Sequence, residues 1–354
     1  MSHQRKLIKD LLNYIHLMYR TTSLAVTRCV TKVHFIHIIF LVLLLGGNKM
    51  TDDSKILLSF NLLENVTEKE YFKYLYCLSN NYINNYKIIK VKKKNGKMRT
   101  IYVPAYALKK VQRKILHNVL EKYELSVYAK AYRKGISLID NAKGHLNKKV
   151  ILKLDIYKFF DNISFEEVYG VFRKKYSKNV SVLLANLCTY AGFLPQGTPT
   201  AAYLSNLVLK DFDYLVGQWC EEKNIVFTRY SDDMTFSGDF DIKDLITFLK
   251  SALSKYGFRL NYDKIFVIAK HKKQKVTGLV VNKKINVEKE YRKKIRQEIY
   301  YIQRFGLKDH LRILGFKDKE KYLNSLRGRI NFVYFVTKSK EFLEYRDYVN
   351  GLKG

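Results

Sequence analysis

The chain has 354 residues, with 65 Lys and Arg against 32 Asp and Glu, and a formal charge of +33, about one uncompensated positive charge for every eleven residues. With 47% hydrophobic and 14% aromatic residues it can bury a real core, which excludes disorder as a description of the whole chain, and its length suits two or three subdomains. Self-repulsion of this size costs stability unless an opposite charge is usually nearby, so the expected partner is a polyanion, nucleic acid ahead of an anionic membrane surface.

Residues 33–45, VHFIHIIFLVLLL, form the most apolar run; Arg20, Arg28 and Lys32 precede it and Gly46-Gly47 follow. Helix of that length reaches about 20 Å, short of the roughly 30 Å hydrocarbon core, so no stable membrane span is expected. A signal-peptide core matches the length better but fits badly in front of a basic chain of cytosolic character. Residues 1–49 are therefore expected to be a non-catalytic extension, an upstream start being one origin, because Met50 follows directly and the globular pattern begins there. A buried helix and membrane contact are the alternatives.

Residues 68–78, EKEYFKYLYCL, predict a short amphipathic helix. Residues 86–91 and 99–103 predict two strands joined by the turn Lys94-Asn95-Gly96-Lys97, a hairpin with Asn-Gly at its centre. Residues 106–123 predict a basic amphipathic helix, and residues 150–154, VILKL, a short apolar strand that delivers Asp155. A strand at 225–230 delivers Ser231-Asp232-Asp233, and residues 234–237 return as its hairpin mate. Helices are expected after Asp241 and again over about 287–305. Strands and helices interleave without a regular β-α-β repeat, which favours an α+β class. Cys29, Cys77, Cys188 and Cys220 are scattered, and the histidines form no His-Glu-x-x-His pattern, although His34 and His37 are three apart. The cysteines are expected to be reduced packing residues in a cytoplasmic protein, and zinc is not expected.

The informative feature is the pair of acidic sites that end or interrupt apolar strands, Asp155 and Asp232-Asp233. In a chain so short of acid, carboxylates at strand ends cost desolvation and repulsion unless cations neutralise them. Hard oxygen ligands suit magnesium, and two such ions can serve in-line nucleotidyl transfer. From position alone the rival reading is equally good: Asp155 caps the next helix and Asp232-Asp233 form a turn.

The surrounding residues carry a resemblance. Tyr230-Ser231-Asp232-Asp233 resembles the Tyr-x-Asp-Asp signature of reverse transcriptases, Asp155 with Phe159-Phe160 resembles the first catalytic motif, and residues 194–200, LPQGTPT, resemble the Pro-Gln-Gly loop, all in the family's order. The likeness narrows to bacterial retron reverse transcriptases. Asn141-Ala142-x-x-His145 matches their Asn-Ala-x-x-His motif, Val276-Thr277-Gly278 their Val-Thr-Gly motif, and Met98-Arg99-Thr100-Ile101-Tyr102-x-Pro104 their fingers strand. The likeness runs from about residue 65 to 335. One departure is Ser231, where alanine is commoner; both are small enough for a tight turn.

This resemblance implies a right-hand polymerase fold with an antiparallel palm sheet and a helical thumb: fingers and the Asn-Ala-x-x-His region over 50–150, palm over 151–283, thumb over 284–354. It implies that Asp155 and Asp232 coordinate two Mg2+ ions, with Asp233 completing the cluster. Phe160 resembles the steric gate against a ribose 2′-hydroxyl, a core aromatic being its bland alternative. Gln196 and Gly197 would let backbone approach the incoming dNTP closely. Arg99 would grip the triphosphate, unless it is a solvated strand-edge arginine. Lys264, in Gly257-Phe258-x-Leu260-Asn261-x-x-Lys264, resembles the lysine near the leaving pyrophosphate; a surface lysine is the rival. Asn141, His145, Val276, Thr277 and Gly278 would contact the cognate RNA or support that contact, or else fix fold-specific turns. The implied partners are a cognate noncoding RNA, its msDNA product and a separate effector protein, with a role in anti-phage defence. A group II intron-type reverse transcriptase and a non-catalytic RNA-binding scaffold are the alternatives.

Overall fold

The computed structural model describes residues 52–93 and 96–352, so the apolar extension and the Lys94-Asn95 half of the hairpin turn lie outside the described residues. Two compact units divide the chain: residues up to Tyr123 with Phe160–Leu204, and Glu124–Phe159 with the chain from Ser205 onward.

The first unit is mainly helical. Thr67 opens the helix Glu68–Asn80 with a reciprocal cap, its hydroxyl accepting from the Glu70 N–H while the Glu70 carboxylate accepts from the Thr67 N–H. Strands β1 (Tyr86–Lys92) and β2 (Met98–Pro104) pair antiparallel from Tyr86↔Pro104 to Lys92↔Met98. Pro104 has no N–H to extend the pairing, and the helix Tyr106–Asn118 follows, burying Leu108, Val111, Gln112 and Ile115 on one face. It stops five residues short of the expected end, tightening at Val119 into the 3-10 turn Leu120–Lys122. Buried Gln112 donates to the Tyr86 hydroxyl and to the Leu187 carbonyl, both at 2.9 Å, which fastens the hairpin and the helix Lys178–Cys188 to one another.

The second unit holds the main sheet. β3 (Val150–Asp155), β4 (Val226–Tyr230), β5 (Asp233–Gly238) and β6 (Phe266–Ala269) lie in the order β4-β5-β3-β6, every neighbour antiparallel. Central β3 buries Ile151, Leu152 and Leu154, which is why its sequence reads as an apolar run rather than an alternation. Helices Lys210–Glu222 and Ile242–Lys255 bury Phe212, Val216 and Cys220, and Leu245, Leu249 and Leu253. Asp241 caps the second of these by accepting from the Lys243 and Asp244 N–H groups. A small hairpin, β7 (Lys275–Val276) and β8 (Leu279–Val280), shares one core with the helices Lys289–Ile313, Lys319–Thr337 and Lys340–Gly351 through Val276, Leu279, Ile299, Leu326, Ile330 and Phe342. The helix expected to end near 305 does so: Gly306 (φ 80°, ψ 156°) has non-helical backbone and breaks the span, and a second helical segment continues to Ile313. Among the described residues no helix is long and apolar enough to cross a membrane.

The loop after Leu194 lies against β2. Tyr102 donates its N–H to the Gln196 carbonyl at 2.8 Å, and Gly197 sits at φ 112°, where a Cβ would come within 2.6 Å of Ile101 Cγ2 and 3.1 Å of the Tyr102 carbonyl oxygen. Glycine is thus required here by the neighbouring strand. Gly197→Ala should cost about 1–3 kcal/mol and lower Tm in a thermal melt; an unchanged Tm would show that the loop leaves β2 freely.

Candidate active site

β3 ends at Asp155, β5 begins at Asp233, and the register pairs these two residues directly. Tyr230 pairs with Asp233 across the β4–β5 hairpin, which leaves Ser231 and Asp232 as a two-residue turn. Ser231 holds φ 64°, the positive value that such tight hairpins demand, at a position where glycine is the usual residue. The Ile156 N–H donates to the Asp232 carbonyl at 3.1 Å, extending the strand contact past the paired residues. All three acids therefore sit at one end of two adjacent strands.

Their electrostatics follow from that placement. Asp155 is 3% exposed, and its carboxylate accepts from Asn261 Nδ2 at 2.9 Å and Lys264 Nζ at 2.5 Å. The Asn261 N–H also donates to the Asp155 carbonyl at 2.8 Å. Burial, reinforced by the charges of Asp155 and Asp233, pushes the Asp232 carboxyl up to about 6. Asp233 is raised too, desolvation leading and Lys153 opposing it. Burial works against the Lys264 ammonium, yet the Asp155 hydrogen bond and the attraction of all three acids outweigh it, so its pKa is raised. The donor set is short of positive charge and rich in hard oxygen, which fits a divalent cation. Among the described residues no three His, Cys, Asp or Glu side chains converge into an all-protein cage.

The nucleotide-binding candidates other than Lys264 fall in the first unit. Arg99 is exposed on β2, three residues before Tyr102, whose N–H holds the Gln196–Gly197 loop. Half-buried Phe160 begins the turn Phe160–Asn162, and the Leu194 N–H donates to the Ile163 carbonyl at 2.9 Å, so that turn and the 194–197 loop are adjoining segments.

The RNA-binding candidates split. Asn141 lies in the helix Leu138–Lys143, which Gly144 closes, so His145 falls just beyond its end. His145 is fully buried, with Nδ1 2.7 Å from Ser237 Oγ and Nε2 2.8 Å from Thr228 Oγ1, a bridge between β5 and β4. Desolvation, helped by Lys148 and Lys130, pushes its pKa down to about 3. This ring touches no solvent. Asn141, 1% exposed, donates to Thr277 Oγ1 at 3.3 Å, joining the two motifs physically, and its own Oδ1 has no partner. Thr277 (φ 46°) and Gly278 (φ 85°) are the tip of the β7–β8 hairpin, the double positive φ of a type I′ turn, while Val276 is core.

Sequence reasoning passed over Asn261, the second ligand of the Asp155 carboxylate, although it lies inside the motif that drew attention to Lys264. It also passed over Arg229, a charged residue in an otherwise uncharged strand and for that reason conspicuous.

The family described as reverse transcriptase (RNA-dependent DNA polymerase) matches residues 91–281. The chain is 31% identical over 275 residues to the retron Ec86 reverse transcriptase of Escherichia coli, covering 76% of this chain and 81% of that protein. It is 29% identical to the retron Ec83 reverse transcriptase of the same organism, covering 77% and 90%. Among solved structures, a telomerase of Candida albicans aligns with a TM-score of 0.40 at 12% identity, covering 81% of this chain and 69% of that one.

The neutral His145 ring has a consequence for stability. The unfolded imidazole takes up its proton near its ordinary pKa of 6.5, the folded one only near 3, so between those values the unfolded state binds more protons. Stability should fall with acidification across that window, by up to about 1.4 kcal/mol per pH unit from this group. Denaturant melts at about pH 6 and 5 should show a shallower loss for His145→Gln than for the parent; parallel losses would mean that the ring charges in the folded state.

Proposed function

The chain belongs to the reverse transcriptase family, among the retron enzymes, and has their right-hand α+β fold, and from that premise we propose that it copies part of its own structured noncoding RNA into branched msDNA. The first nucleotide is joined to a guanosine 2′-hydroxyl, giving a 2′,5′ linkage, and the enzyme works in the cytoplasm beside a separate effector in anti-phage defence. Residues 50–150 serve as fingers, 151–283 as palm and 284–354 as thumb.

The observation that carries the reading is the direct pairing of Asp155 with Asp233 beside the Asp232 turn, with the Asp232 carboxyl held above its ordinary range by burial and by its acidic neighbours. Asp155 and Asp232, with Asp233 alongside, would hold two Mg2+ ions. Bound there, the ions supply activation of the attacking hydroxyl and stabilisation of the leaving pyrophosphate oxygen. Asn261 orients the Asp155 carboxylate by taking one of its oxygens. Lys264 keeps its proton in this acidic setting and can deliver it to the departing pyrophosphate. On the first unit, Arg99 engages the triphosphate of the dNTP, the Gln196–Gly197 loop presents backbone to it, and the Phe160 ring excludes a ribose 2′-hydroxyl. Exposed Gly278 and half-buried Thr277 offer backbone and hydroxyl to the RNA, with Asn141 and Val276 holding that tip and His145 bracing β4 against β5.

Primer extension on an RNA template with magnesium tests this. Asp232→Asn should abolish DNA synthesis and leave RNA binding intact. Synthesis surviving in that variant would refute the assignment, and a parent protein that binds RNA but extends nothing would favour the scaffold. Sequencing the nucleic acid that copurifies with the chain should return DNA branched from one small RNA; a linear, unbranched cDNA would instead point to an intron-type enzyme.

A further inference from the structure

Arg229 is the bulkiest side chain buried completely among the described residues, two positions before the catalytic turn. Each of its three guanidinium nitrogens donates a hydrogen bond. Nε and Nη2 donate to the two carboxylate oxygens of Asp213 at 2.6 and 2.7 Å, and Nη1 donates to Asn206 Oδ1 at 3.1 Å and to the Ser231 carbonyl at 2.9 Å. Asp213, on the helix Lys210–Glu222, is itself fully buried. Asn206 is anchored in turn, its Nδ2 donating to the Ala131 carbonyl at 2.9 Å. The backbone of Arg229 is clamped as well: its N–H donates to the Tyr128 carbonyl at 2.9 Å and its carbonyl accepts from the Lys130 N–H at 2.8 Å.

An ion pair taken this far from water recovers little net stability, and an apolar pair of similar volume would often hold the same elements together as well or better. What an apolar pair could not do is grip the Ser231 carbonyl. That carbonyl belongs to the peptide joining Ser231, at positive φ, to Asp232, so its orientation sets where the Asp232 side chain leaves the turn. The Asp213 fork fixes the rotation of the planar guanidinium, and with it the direction of the one arm that reaches the turn. We propose that Arg229, oriented by Asp213 and Asn206, is a positioning residue for the reaction, holding the Ser231–Asp232 peptide so that the Asp232 carboxylate stays beside Asp155. This rests on the reading of Asp232 as a catalytic acid.

Two variants of the full chain test it. The double variant Asp213→Leu/Arg229→Met removes both charges together and strands neither; Arg229→Lys keeps a cation opposite Asp213 but loses the fork. Three readouts are followed: Tm, primer-extension kcat with RNA affinity measured alongside, and hydrogen exchange of the Ile156 amide, which is bonded to the Asp232 carbonyl. Whichever variant folds with a Tm close to the parent should bind RNA normally, lose about tenfold or more in kcat, and exchange the Ile156 amide faster. A folded variant with parental kcat and parental Ile156 exchange would overturn the proposal. If Asp232→Asn proves active the catalytic reading fails by itself, and Ile156 exchange, which does not depend on chemistry, still decides whether Arg229 holds the turn.

Discussion

Carboxylates brought together and drawn partly out of water repel one another unless something cationic sits among them, and the sheet of the second unit imposes this condition on three of the few acids the chain has. The register that pairs Asp155 with Asp233 is what does it. A slip of one residue would set Leu154 opposite Asp233 and turn Asp155 to the other face, because side chains alternate along a strand. The apolar neighbours Ile151, Leu152, Leu154, Met234 and Phe236 fix that register by their burial, so the hydrophobic core determines where the negative charge collects. Lys264 and Asn261 offset part of the cost at Asp155, and Asp232, raised to about 6, carries the remainder.

Behind the acids the sheet is braced by polar groups whose partners are all internal. His145 bridges Thr228 and Ser237, and Arg229 joins Asp213, Asn206 and the Ser231 carbonyl. Fully satisfied networks of this kind favour one arrangement over its near neighbours, since any shift leaves a donor or acceptor unpaired in a medium where that is costly. The Asn141–Thr277 contact ties two segments 136 residues apart in the chain and supports a β-branched residue in a conformation that such residues avoid.

Much of this was legible in the sequence where local chemistry decides the outcome. The strand that delivers Asp155, the hairpin that carries Asp232-Asp233, the cap at Asp241 and the Asn-Gly hairpin each have a short-range cause, and their limits were off by a residue or two. What stayed hidden depends on the fold closing. Nothing local says that Arg229 meets Asp213 sixteen residues away, or that His145 turns inward to bridge Thr228 and Ser237. Gly197 was legible as a place where something approaches closely, but the neighbour that demands glycine there is β2, which only the packing of the loop reveals. The 33–45 run, the most apolar in the sequence, lies outside the described residues.

The most direct measurement of the central claim is manganese binding, with Mn2+ as a spectroscopic stand-in for magnesium, by the full chain engaged with an RNA template, its primer and a non-hydrolysable dNTP. Asp155→Asn should weaken Mn2+ binding by about tenfold or more while the RNA stays bound. Equal Mn2+ affinity in the parent and the variant would contradict the idea that these acids exist to hold metal against the growing strand.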